Sequence, residues 1–208
     1  MKPSRSWVWH AGAGVILAIL IIWDRPILTA IRARRTPILR SLVDHVGNLR
    51  GIVLPFVVAL LLIAAGALLS RPRLRRGGVV LLLIAVLSGS AASVLKASFG
   101  RSGPDPEDSA VPGTFWQSES NGRFPSSHAA ILYGSAAAVT SFWPGAALVA
   151  YPVATLVGYE RLSKATHFPA DVFAGAWLGT VVAQVVLLRA RRRAEAVPIT
   201  ASRASPPS

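Results

Sequence analysis

The stretch "YERLSKATHFPADVFAG" (residues 159–175) changes character partway along: Arg161, Lys164, His167 and Asp171 punctuate it, and beyond Pro169 it turns apolar. The predominantly apolar run 169–188 follows, and the basic "RARRR" ends it. A helix needs about 20 such residues to cross a hydrocarbon core about 30 Å thick. The run therefore predicts a membrane span whose first turn carries an ionisable residue, Asp171, and whose approach carries a histidine and two cations. Five more apolar blocks precede it, at 8–23, 51–69, 77–95, 126–143 and 145–159. The blocks predict an all-α integral membrane protein with six transmembrane helices, the fourth and fifth joined as a tight hairpin around Pro144.

Composition agrees with lipid as the solvent. Of 208 residues, 52% are hydrophobic and 15% charged. The first block follows Lys2 and Arg5, and Trp7, Trp9 and Trp23 stand where interfacial aromatics belong; a cleaved signal peptide shares the basic start, but no clear A-x-A site follows. The net charge of +13 is dispersed between spans instead of gathered in one basic domain, which favours anionic headgroups over nucleic acid as partner. The absence of cysteine excludes disulfides, zinc–thiolate sites and thiol nucleophiles.

Six spans place both termini on one side of the membrane and the segments 24–50, 96–125 and 160–168 on the other. The 22 Lys and Arg divide evenly between the two sides, so the positive-inside rule acts only through position. "RPRLRR" and "RARRR" abut span ends, whereas Lys96, Arg101, Arg161 and Lys164 belong to a candidate site. Termini in the cytoplasm of a bacterial-type plasma membrane, with the site facing outward, are the expected arrangement. Within 24–50, Ile38, Leu39, Leu42, Val43 and Val46 recur at helical spacing with Arg40, Asp44 and His45 between them, as in an interfacial amphipathic helix. Residues 1–193 read as one membrane domain; 194–208, rich in Ser and Pro, read as a disordered tail.

Polar residues cluster at three places on the outward side. "KASFGRSGPDP" carries Lys96 and Arg101, "GRFPSSHA" carries Arg123, Ser126, Ser127 and His128, and the opening stretch supplies the third group. Singly, such cations snorkel to headgroups and such histidines cap helices. Asp171 is different, because a carboxylate inside a span is costly and calls for a partner. His167 lies four residues before it, one helical turn. An imidazole N–H directed at Asp171 would set the tautomer and leave the other nitrogen as a nucleophile. Pro169 begins the helix, so N–H groups near His167 can attract an anion. In the second cluster Ser126 is a good N-cap, and the hydroxyls of Ser126 and Ser127 can converge with His128 on the same anion. His128 can protonate a leaving oxygen, and Lys96, Arg101 and Arg161 can hold phosphoryl oxygens. A metal centre would need carboxylates besides Asp171, and Asp105, Glu107, Asp108 and Glu119 lie in a loop with turn composition.

These clusters resemble the three motifs of the type 2 phosphatidic acid phosphatase superfamily, in order and over nearly the whole chain except the tail. Arg161, His167 and Asp171 match the third motif, and Pro125-Ser126-Ser127-His128 is similar to the second, usually Pro-Ser-Gly-His. The first is Lys, six residues, then Arg-Pro; Lys96 and Pro104 are in register, but Gly103 stands where the Arg belongs, with Arg101 as a nearby substitute. Glu160 stands for a common Ser before Arg161. The resemblance implies a metal-independent membrane phosphatase without cofactor. It implies a phosphohistidine at His167 supported by Asp171, His128 as general acid, and phosphate held by Lys96, Arg161 and Ser126. The substrate it implies is a lipid phosphate: phosphatidic acid, phosphatidylglycerol phosphate, a polyprenyl diphosphate and a lipid A phosphate all fit. A soluble sugar phosphate, or a weakly catalytic protein that binds or moves phospholipid, are the alternatives.

Overall fold

The computed structural model describes residues 6–37, 41, 51–104, 115–116 and 122–196. These form six α-helices: α1 (Ser6–Ala33), α2 (Leu54–Leu68), α3 (Pro72–Phe99), α4 (Ser127–Phe142), α5 (Ala147–Ser163) and α6 (Pro169–Ala196), with a 3-10 turn at Pro144–Ala146 between α4 and α5. Among the described residues there is no strand. Proline opens several of them, at Pro55, Pro72 and Pro169, where a missing N–H costs nothing because the first turn has no acceptor for it.

The helices correct three sequence boundaries. α1 does not stop at Trp23 but runs through Pro26 to Ala33, so Asp24 lies on a helix and not in a connecting loop. Pro26 gives up only one intrahelical bond, and the Ile, Leu and Ala that follow it favour continuation. α3 begins at Pro72 and takes in Arg73, Arg75 and Arg76 as its first turns. α6 continues past the basic run to Ala196. The expected tail begins at 194, and its first three residues belong to this helix; the rest of it, and the expected amphipathic segment around 38–46 apart from Ser41, lie outside the described residues.

Three of the six helices are long and apolar enough to cross a membrane: Trp7–Ala33, Pro72–Phe99 and Pro169–Arg193. α2 is a shorter apolar helix of 15 residues, about 22 Å at 1.5 Å per residue. α4 and α5 have 16 and 17 residues, shorter than the roughly 20 that a span requires, with polar residues at both ends of α4 and at the C-terminal end of α5. Large apolar side chains of α1, among them Val15, Ile19 and Ile22, are exposed, as expected of a surface that faces lipid.

α4 lies at the centre, against α3, α5 and α6, and α6 is its largest partner. Small residues allow that contact. A Cβ on Gly179 would fall 2.0 Å from the Ala130 carbonyl oxygen, and one on Gly175 2.3 Å from that of Ser126. The two backbones thus touch directly, as small-residue interfaces permit in membranes. The same approach sets the start of α4 beside the start of α6: the Ser126 N–H donates to the Asp171 carbonyl at 2.9 Å. Two of the sequence clusters are joined by the packing of these helices.

A candidate active site at one end of the helix bundle

The turn that presents His167 is a helix C-cap. At the end of α5 the Thr166 N–H donates to the Arg161 carbonyl and the Ala165 N–H to that of Leu162, both at 3.0 Å, the pattern of a Schellman motif. The motif needs a left-handed residue, and Ala165 supplies it with φ 51°. The Thr166 hydroxyl adds a second bond to the Arg161 carbonyl. An L-residue pays about 1–2 kcal/mol for that conformation. Ala165→Gly is therefore expected to stabilise the protein by about 1 kcal/mol, a rise of about 3 °C in the thermal midpoint. A fall in the midpoint in detergent would show that the methyl group, buried here, contributes more than the backbone conformation costs.

α6 begins two residues after His167, at Pro169, and is capped by carboxylates. Asp171 reaches back so that Oδ2 accepts the Phe168 N–H at 2.8 Å, the helical half of a capping box. The Ala170 N–H donates to Oδ1 of Asp24, brought in from α1, at 2.7 Å. Arg101 then bridges the two carboxylates, with 2.6 Å to Asp171 Oδ1 and 2.7 Å to Asp24 Oδ2. Its guanidinium lies between the rings of Phe115 and Phe168, 5.0 and 4.8 Å from their centroids. All three charged groups are buried. The N–H groups expected to draw a bound anion to the start of α6 are thus already met by Asp24 and Asp171.

Arg101 was expected on a phosphate; the structure places it between two carboxylates. His167 and Asp171 stand as expected one turn apart, but Nδ1 is 3.6 Å from Asp171 Oδ2 and makes no hydrogen bond. The proximity is electrostatic, because Asp171 already accepts from Arg101 and from Phe168.

At the start of α4, Ser126 occupies the N-cap with extended backbone, yet its side chain makes no cap bond. Its Oγ is buried and has no partner, an unusual state for a buried hydroxyl. Ser127 is the first helical residue and is half-buried. His128 lies within electrostatic range of Arg161, His167, Glu160 and Lys96, and Lys96 within that of Arg123 and Asp171. The three clusters therefore converge. On the α5 side the buried Glu160 carboxylate pairs with Arg161 Nε and, at 2.8 Å, with Lys164. Among the described residues no three His, Asp or Glu side chains gather as a metal-ligand set.

Asp24 escaped sequence reasoning. The available signal was an acidic residue adjoining an apolar block, where an unpaired carboxylate is costly, but its partner is 77 positions away and only the fold reveals it.

The PAP2 superfamily model matches residues 77–195. Among solved structures, the chain is similar to a transmembrane PAP2 type phosphatidylglycerolphosphate phosphatase from Bacillus subtilis, with a TM-score of 0.62 and 23% identity over 88% of this chain and 96% of that one. It is also similar to LpxE from Aquifex aeolicus, with a TM-score of 0.57 and 20% identity over 79% of this chain and 94% of that one. No curated protein sequence matches.

Proposed function

The chain belongs to the PAP2 superfamily, and from that premise we propose that it is a six-span membrane phosphatase that hydrolyses a phosphomonoester or pyrophosphate of a lipid. The observation that carries the proposal is the convergence of His128 on His167, Lys96 and Arg161. Two imidazoles among cations are suited to phosphoryl transfer.

In the proposed reaction, Nε2 of His167 attacks phosphorus, the bond to the leaving oxygen breaks, and His128 gives that oxygen its proton. Asp171, 3.6 Å from Nδ1, stabilises the positive charge that develops on the ring. Water then attacks the phosphohistidine with His128 as base, the P–N bond breaks, and inorganic phosphate leaves. Lys96, Arg161 and Ser126 hold the phosphoryl oxygens, and the unpartnered Ser126 Oγ has a hydrogen bond to offer. Ser127, the first residue of α4, is assigned to the same phosphate. Arg101 holds Asp171 instead of the phosphate.

A lipid is favoured over a sugar phosphate by what adjoins the site. A cavity of about 370 Å³ between α1, α3 and α6 is lined by Leu95, Phe99, Phe124, Pro125, Ala174 and Trp177, among others, and Pro125 is the neighbour of Ser126. Such walls suit an acyl or prenyl chain. The similarity to a phosphatidylglycerolphosphate phosphatase also favours a lipid. The termini are assigned to the cytoplasm and the site to the outer face, following the basic runs that abut the span ends.

Phosphate release by the protein purified in detergent tests the assignment. The panel is phosphatidic acid, phosphatidylglycerol phosphate, a polyprenyl diphosphate, a lipid A phosphate and glucose 6-phosphate, each with and without EDTA. Turnover of at least one lipid and insensitivity to EDTA are expected. Turnover of the sugar phosphate alone would replace the lipid assignment, and loss of activity in EDTA would require a metal.

A further inference from the structure

Arg123 and Lys96 stand near each other at the mouth of the site. The charge of Arg123 acts on Lys96, and among the described residues neither lies within 4 Å of a carboxylate. Like charges held together repel, and a phosphate dianion between them turns that repulsion into binding. The backbone around Arg123 is fixed. Its N–H donates to the Arg101 carbonyl at 2.8 Å, and a Cβ on Gly122 would fall 2.7 Å from the Lys96 carbonyl oxygen, so this segment lies directly on the last turn of α3. From there the Arg123 side chain crosses Gly103. A Cβ on Gly103 would lie 2.8 Å from Cγ, 3.1 Å from Nε and 3.3 Å from Cδ of Arg123. A side chain at 103 and the present course of Arg123 exclude each other.

We propose that Arg123 is a phosphate-binding residue of this site, with its guanidinium laid across the space that Gly103 leaves open and acting together with Lys96 on the same anion. The proposal rests on the phosphatase assignment and adds to it a cation that the chain delivers from the second cluster instead of the first. Arg123 is exposed, so it can meet a phosphate entering from the membrane surface, and its planar fork suits two phosphoryl oxygens at once.

The test uses the full-length protein in detergent, with two readouts: affinity for orthovanadate, a tetrahedral oxyanion, and turnover of the best lipid substrate. Arg123→Ala is expected to weaken orthovanadate binding about 10- to 100-fold, the range for hydrogen bonds to a charged group, with an unchanged thermal midpoint because the side chain is exposed. Gly103→Arg alone is expected to impair binding by crowding Arg123. Gly103→Arg combined with Arg123→Ala is expected to bind better than either single variant, since one guanidinium then occupies the space without competition. Orthovanadate affinity unchanged by Arg123→Ala, absence of orthovanadate binding by the unmodified protein, or a double variant no better than the singles would each overturn the proposal. If the protein binds orthovanadate through Arg123 yet releases no phosphate from any substrate, the anion site stands and the phosphatase assignment falls.

Discussion

Replacing His167 with alanine is expected to lower phosphate release by about 10³-fold or more, the scale on which loss of an acting nucleophile is felt, while the fold persists. The proposed mechanism gives the first half of this expectation: in it, without the imidazole there is no atom to accept the phosphoryl group, and water alone must attack in its place. The structure gives the second half. Nδ1 of His167 has no hydrogen-bond partner, and Asp171 retains both Arg101 and the Phe168 N–H when the ring is gone. The capping of α6 and the contact between α4 and α6 do not depend on the ring. Initial rates and thermal midpoints of the purified variant measure the two halves separately. A rate within tenfold of the unmodified protein would remove His167 from the mechanism.

Arg101→Leu is expected to act in the opposite way, through stability. It strips the shared cation from two buried carboxylates, Asp24 and Asp171. Breaking a buried ion pair by removing one partner costs about 3–5 kcal/mol, and here a single substitution breaks two. Arg101→Lys should recover only part of the loss, because an ammonium lacks the planar fork that spans both acids and stacks between Phe115 and Phe168. Poor recovery of folded protein and a large fall in thermal midpoint are the expected results. A normally stable Arg101→Leu protein with weakened phosphate binding would instead return Arg101 to the role suggested by its place in the first motif.

The contrast between His167 and Arg101 shows what could be read from sequence alone. His167 and Asp171 are four residues apart, so one helical turn relates them before any tertiary structure exists. The helix blocks were legible for the same local reason, and their ends less so: nothing near Trp23 announces that α1 continues to Ala33. Arg101 sits beside the site in the chain, and a cation there reads as a phosphate ligand. Its carboxylates come from α1 and α6, and the packing of those helices decides what it meets. The Gly103 departure has a similar resolution, since the side chain that fills its space belongs to residue 123 and no spacing within the first motif points to it. Six helices are legible as six apolar blocks, but only α1, α3 and α6 are long and apolar enough to cross a membrane by themselves, while α4 is largely buried among its neighbours.

The central claim is that phosphate passes through His167. It is tested most directly by mixing the protein with a lipid carrying ³²P in its phosphate, stopping the reaction in alkali within the first turnover, and locating the label by peptide mapping. Phosphohistidine survives alkali and is lost in acid, so the account predicts an acid-labile label on the peptide that contains His167, absent from His167→Ala. Full turnover with no labelled peptide, or label on a different residue, would contradict it.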